Sequence, residues 1–198
     1  LVDPIDVLIE KETAIALLEY GPTDHPERVF ARIVEGWKKR GINPFIVDIF
    51  DTLHLFVQNL KFAGVSLDVS SAPVVKVKGS ASVGNVLGTI DVVDDFEYHI
   101  AVYSRLVRNV PDESRNHAIV LGLEKFVFPF LDDRSKLESY FEAITRKYLP
   151  LFDKVSILFL NVGVASEYLI KGLEQDSDYV LRVRRGEVEP VKLWGGEV

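Results

Sequence analysis

A chain of 198 residues with 47% hydrophobic residues has the material for one α/β core of ordinary size. Its net charge of −7 argues against a general nucleic-acid binder, whose affinity comes from Lys and Arg on phosphates, and the absence of Cys excludes disulfides and thiolate metal centres. No apolar run reaches the length of a membrane span and no signal-peptide pattern opens the chain, so the expected setting is cytoplasmic, with no membrane partner.

Asp3-Pro4 starts a short helix, DPIDVLIEKE, with Ile5, Leu8 and Ile9 apolar. Ala14 to Leu18 follows as an uninterrupted apolar run, the pattern of a strand buried on both faces, with Glu19 and Tyr20 at its carboxyl end. Gly21-Pro22 breaks the strand. Asp24 is the expected N-cap of the next helix. Glu27, three residues on, completes an Asp version of the capping box, and Pro26 lies in the first turn. That helix is predicted to run to about Arg40, with Val29, Phe30, Ile33, Val34 and Trp37 on one face and Gly41 just beyond its end.

Pro44 to Ile49 is a second buried strand, and Asp51 is the expected cap of a helix that reaches Gly64. VVKVK (74–78) alternates apolar and polar. With Asn85 to Val93 it is predicted to form a hairpin across the Gly79–Gly84 turn. Asp94 to Val110 has helical spacing, and Ala118 to Leu123 is a third buried strand ending at Glu124. Asp132 or Ser135 should cap a helix to Tyr148. Val155 to Leu160 is a fourth buried strand ending at Asn161, followed by a helix from about Ser166 to Leu173. Tyr179 to Arg184 and Val188 to Trp194 close the chain as a hairpin on Arg185-Gly186-Glu187.

Buried strands alternating with amphipathic helices predict a single α/β domain over residues 1–198. The sheet should be mostly parallel, with helices on both faces in three layers and a C-terminal antiparallel hairpin. Ligands in such folds bind off the carboxyl ends of the strands, which directs attention to Glu19, Tyr20, Asp48, Asp51, Glu124 and Asn161.

The order of elements, with AIVLGLEKF, VSILFLN and the closing LEQDSDYVLRVRRGEVEPVKLW, resembles the RecA/KaiC-like P-loop ATPase core. LLEYG with PE and F after it, DIFDTLH, VGNVLGTI and GLEKF are similar, over nearly the whole chain, to an archaeal family known only as domain of unknown function 257, from hyperthermophilic archaea. A composition with no Cys or Met, only Gln58 and Gln175, and many Glu, Lys and Arg leans the same way. The resemblance implies a RecA-like fold and brings no activity with it.

Against that family of ATPases two parts are missing. A P-loop needs a glycine-rich turn, a Lys and a Ser or Thr, whereas the turn here is GPTDHPER, with one Gly, two Pro and no Lys. Asp24 and Glu27 also bring negative charge where an anion would bind. If AIVLGL is aligned on the Walker B strand, Leu121 falls where the magnesium-binding Asp should be. Gly79 and Gly84 have P-loop spacing, but Asn85-Val86 stands where Lys-Ser/Thr belongs. No cofactor is therefore expected.

Glu19, Asp48 and Asp51 could together hold a hard cation such as Mg²⁺. The alternative is that Asp51 caps its helix and Asp48 bonds to loop amides. His25 and His54 are candidate general bases or ligands in the same region. His99 and His117 have no evident carboxylate partner in sequence, and neither Ser114 nor Ser166 lies in a nucleophile elbow. Arg182, Arg184 and Arg185 make a small basic cluster that either meets an acidic partner or protects an edge strand by charge. Trp194 and the apolar helix faces could support self-association. Three readings remain open: a non-catalytic regulatory or interaction module that binds itself or another protein; a metal-dependent hydrolase using the three carboxylates on a phosphate ester; and a divergent nucleotide binder.

Overall fold

In the computed structural model of the protein, which describes residues 2–193, eight strands form one sheet. They are β1 (Ala14–Tyr20), β2 (Phe45–Ile49), β3 (Pro73–Val77), β4 (Asn85–Ile90), β5 (His117–Leu121), β6 (Val155–Asn161), β7 (Tyr179–Arg184) and β8 (Glu187–Lys192). The helices are α1 (Pro4–Ile9), α2 (Pro26–Lys39), α3 (Thr52–Phe62), α4 (Phe96–Val107), the single turns α5 (Asp112–Arg115) and α6 (Leu123–Phe126), α7 (Arg134–Tyr140) and α8 (Glu167–Asp176). The strand order is β4-β3-β2-β5-β6-β1-β7-β8, with every pair parallel except β7 and β8. No helix among the described residues is long and apolar enough to cross a membrane. Trp194, a candidate for self-association, lies outside the described residues.

The apolar runs work as expected because successive side chains of a strand point to opposite faces and both faces are covered. Leu18 and Phe159 join Phe30, Trp37 and Phe56 in the core under α1, α2 and α3. Leu17 and Leu158 join Phe45, Phe126, Tyr140 and Phe141 in the core under α4, α6, α7 and α8. Each such fully buried side chain contributes about 1.5–3 kcal/mol.

Two expectations need correction. Residues 74–78 and 85–93 do not form a hairpin, because β3 and β4 run parallel. The seven residues 78–84 between them can extend about 23–25 Å, more than the roughly 17 Å of a five-residue strand. An extended return can therefore carry the chain back to the start of β3 without a helix. It crosses the first face, where Val83 packs on the core. The second correction concerns α2. Pro26 opens that helix, so the capping position falls on His25, which has φ 55 and makes no side-chain cap. Asp24 stands one residue too far back to reach the helix amides.

The caps of α4 and α7 are shifted only slightly. Asp95 accepts the Tyr98 N–H and Asp133 accepts the Lys136 N–H. Beyond α7 the helix continues to Tyr148 with wider, π-helical winding over Phe141–Tyr148. There the Thr145 hydroxyl bridges the Phe141 carbonyl (3.1 Å) and the Asp176 carboxylate (2.6 Å).

Candidate functional site

At the carboxyl edge of the sheet, the ends of β1 and β6, the first turn of α2, the inner side of α3 and the turn α6 enclose a cleft of about 470 Å³. Its floor carries Tyr20, Glu124 and Asn161. Glu124 is 3% exposed and its Oε2 accepts the Asn161 N–H at 3.1 Å. Burial raises the Glu124 carboxyl above the usual range, more than that hydrogen bond and Lys125 lower it. Burial, followed by the nearby carboxylates of Glu124 and Glu27, pushes up the ionisation of the Tyr20 phenol. Glu27 is buried, with Oε1 2.9 Å from Nδ1 of His25. Across the cleft, Lys125 Nζ donates to Thr52 Oγ1 (3.0 Å), whose hydroxyl donates to the Ile49 carbonyl (2.7 Å). Leu55 (51% exposed) and Phe62 (88% exposed) form an apolar lip on α3.

The turn between β1 and α2 borders this cleft and is closed on itself. The Asp24 carboxylate accepts the Gly21 N–H at 2.8 Å, and the Asp24 N–H donates to the Gly21 carbonyl at 3.1 Å. The Asp24 carbonyl in turn accepts the Gly186 N–H from the β7–β8 turn at 2.7 Å. The Gly21 amide is thus engaged by a carboxylate of the chain itself.

The three carboxylates considered for a metal do not meet. Asp48 lies between Val47 and Ile49 of the second core, so it faces the first; Glu19 lies between Leu18 and Tyr20 of the first core, so it faces the second. Strands β5 and β6 also separate them, roughly 14 Å at the usual strand spacing. No group of three His, Cys, Asp or Glu among the described residues could hold a metal ion. Asp48 and Asp51 instead share a cation: Lys76 Nζ lies 2.9 Å from Asp48 Oδ2 and 2.6 Å from Asp51 Oδ1. Burial opposes the charge on Lys76, but the two carboxylates outweigh it and raise its pKa.

The capping roles of the two aspartates are exchanged relative to the sequence reading. Asp48 accepts the Leu53 N–H at the start of α3 (2.9 Å), while Asp51, at φ 61, accepts the loop amides of Ser80 and Ala81 (2.9 and 3.0 Å). The hydrogen bonds from Lys76 and those amides overcome the effect of burial and lower the Asp51 pKa. Of the two candidate histidines, His25 stands on the rim of the cleft, and His54 is exposed and outside its lining. Lys76 escaped the sequence reading because alternation in VVKVK places it on a wet face. The return stretch 78–84, anchored by Asp51, covers that face. Thr52 and Lys125 carried no sequence signal at all.

Glu19 belongs to a separate cluster on the other face. Arg182 Nη2 lies 3.2 Å from its Oε2, its Oε1 is buried without a conventional partner, and Glu174 is hydrogen-bonded to it. Burial first, and then Glu174, raise the Glu19 pKa. Burial also disfavours charge on Glu174, but hydrogen bonds from Lys171 and Glu19 outweigh it and lower that pKa. A raised folded-state pKa gives stability that is complete below the unfolded value and is lost as pH rises through the folded value. Glu19→Gln, which keeps a donor for Glu174 and an acceptor for Arg182, should flatten that loss. Urea unfolding of both proteins from pH 4 to 9 checks this. Parallel stability curves would show that the pair does not share a proton.

The sequence matches the family model described as Pyrococcus protein of unknown function, DUF257, over residues 10–192. The chain belongs to the DUF257 family. No curated protein matches it. Among solved structures, the DUF257 chain is similar to the Pyrococcus horikoshii OT3 protein PH0250, at 22% identity and TM-score 0.77, over 96% of this chain and 91% of that one. It is also similar to the KaiC-like protein PH0186 of the same organism, at 15% identity and TM-score 0.56, over 98% and 86% of the two chains. The flagellar accessory protein FlaH of Methanocaldococcus jannaschii matches at 10% identity and TM-score 0.50, over 96% and 84%. The DUF257 sheet, mostly parallel with a terminal antiparallel pair, is therefore RecA-like.

Proposed function

We propose that this DUF257 chain is a non-catalytic regulatory or interaction module, a RecA-like sheet that binds a second copy of itself or another protein rather than nucleotide. One observation carries the reading: the turn that would cradle phosphate is closed by the Asp24 carboxylate on the Gly21 amide, with the buried Glu27 carboxylate in the first turn of α2. A phosphate arriving there meets two carboxylates where it needs free N–H donors. If β5 is aligned on the Walker B strand, Leu121 at its end stands where a magnesium-binding carboxylate is needed, which supports the same reading. The exposed Leu55 and Phe62 beside the cleft offer a partner an apolar edge. The hydrolase reading is not favoured, because Asp48 and Asp51 already share the Lys76 ammonium where a metal ion would have to sit.

Calorimetric titration with ATP and ADP, each with and without Mg²⁺, tests the proposal. The expected result is no binding heat at millimolar nucleotide, together with weaker self-association or partner capture for Phe62→Ser. Saturable binding of ATP would overturn the reading and show that the phosphates are held away from the closed turn.

A further inference from the structure

On the opposite face of the sheet from the cleft, a cavity of about 80 Å³ lies between α4, the π-helical segment and the ends of β2, β5 and β6. Its walls are apolar or aromatic, and no carboxylate, Lys or Arg lines it. One lining group is out of keeping. The ring of His99, a residue 9% exposed, has no hydrogen-bond partner among the described residues; its main-chain N–H donates to the Asp95 carbonyl at 2.9 Å. Its ring packs 4.7 Å from that of Phe126 and is stacked 6.2 Å from that of Tyr103. Unlike Trp37 Nε1 or Ser156 Oγ, the His99 ring nitrogens are not sealed off, so a molecule in the cavity can reach them. The wall opposite is built by Ile144 and Tyr148 from the π-helical segment, a winding that is rare and concentrated at functional sites.

We propose that this cavity is a binding site for a small uncharged molecule with an apolar body and one hydroxyl, of the phenol class. The chemistry follows from the lining. With no countercharge available, an ionised ligand would be desolvated without compensation. Burial pushes the His99 pKa down to about 4, so at neutral pH the imidazole is uncharged and offers one donor and one acceptor, as a hydroxyl does. Aromatic walls suit a ring. The cavity is smaller than the roughly 150 Å³ void that takes up benzene in an engineered apolar core. The ligand therefore seats its hydroxyl end on His99 and leaves part of its ring in the mouth, between half-buried Ile100, Ile144 and Leu149. The inference does not rest on the interaction reading of the cleft.

The test compares phenol with toluene by NMR titration of the purified protein, following the His99 ring nitrogens. Phenol should bind at least about tenfold more tightly than toluene and shift the His99 nitrogen resonances. His99→Leu should abolish that preference, and Val120→Phe, which fills the cavity, should abolish binding of both probes. Failure of phenol to bind the wild-type protein overturns the proposal. So does equal affinity for the two probes, or binding that leaves the His99 nitrogens unmoved. The wild-type measurements decide the matter even where a variant fails to fold.

Discussion

Lys76→Met is expected to lower the unfolding free energy by about 3–5 kcal/mol, read by urea denaturation at neutral pH. Met preserves most of the length and apolar stem of the side chain, so the loss reports the ammonium. Lys76 is 3% exposed, and its charge is the common partner of Asp48 and Asp51. Without it, a fully buried carboxylate at the end of β2 and a second at the start of α3 face each other uncompensated. Asp51 also holds Ser80 and Ala81, so the return stretch between β3 and β4 should loosen, with faster amide exchange at those two residues. The triple variant Asp48→Asn, Asp51→Asn, Lys76→Met removes all three charges and should recover most of the stability. Because the cluster is buried, added salt should change the effect little. A loss below about 1 kcal/mol, the range of exposed pairs, would show that water reaches the triad and that it does not tie the return stretch to the sheet.

Gly122→Ala should be comparably damaging, at about 2–5 kcal/mol. Gly122 links β5 to α6 at φ +84, and a Cβ there would lie 2.4 Å from Thr52 Oγ1 and 2.6 Å from the Ile49 carbonyl oxygen. The carbonyl is main chain in the buried end of β2 and has little freedom to move. Gly41→Ala is the control. It has φ +75 with nothing within 4 Å of the added carbon, so it should show only the left-handed penalty of about 1–2 kcal/mol. In a chain of this size each kcal/mol shifts Tm by about 2–4 °C, so thermal unfolding separates the two substitutions. Equal Tm shifts would mean that Thr52 and β2 yield to the methyl group. Gly122→Ala should also break the Lys125–Thr52 hydrogen bond across the cleft, because Thr52 is the side chain it displaces.

The sheet was legible in the sequence because four of its central strands are buried on both faces, which leaves an apolar run too short for a helix and too continuous for a surface strand. The edges were less legible. VVKVK and NVLGTI read as a hairpin, since strand direction depends on whether the connecting residues extend or fold back, and seven residues allow either. Capping residues were recognisable by type but misplaced. At the start of α3, Asp48 and Asp51 divide the helix amide and the loop amides the opposite way from the sequence expectation. The strand-end rule pointed to Tyr20, Glu124 and Asn161, which line the cleft. The same rule grouped Glu19 with Asp48 and Asp51, because sequence places residues along a strand without fixing which face of the sheet each one meets. Lys76 shows the converse limit: alternation marks two faces, and only the packing of later residues decides which of them stays wet.

The strand order has a consequence for how the chain becomes a protein. β1 is made first, yet both of its neighbours come late, with Ala14 paired to Val155 of β6 and Ala16 to Tyr179 of β7. During synthesis the most apolar early segment must wait, unpaired along both edges, until nearly the whole chain has left the ribosome. Long-range parallel pairing of this kind is slow, and unpaired apolar strands invite aggregation. A nascent chain truncated before β6 should therefore depend on chaperones, whereas one truncated just after β7 should already hold its centre together.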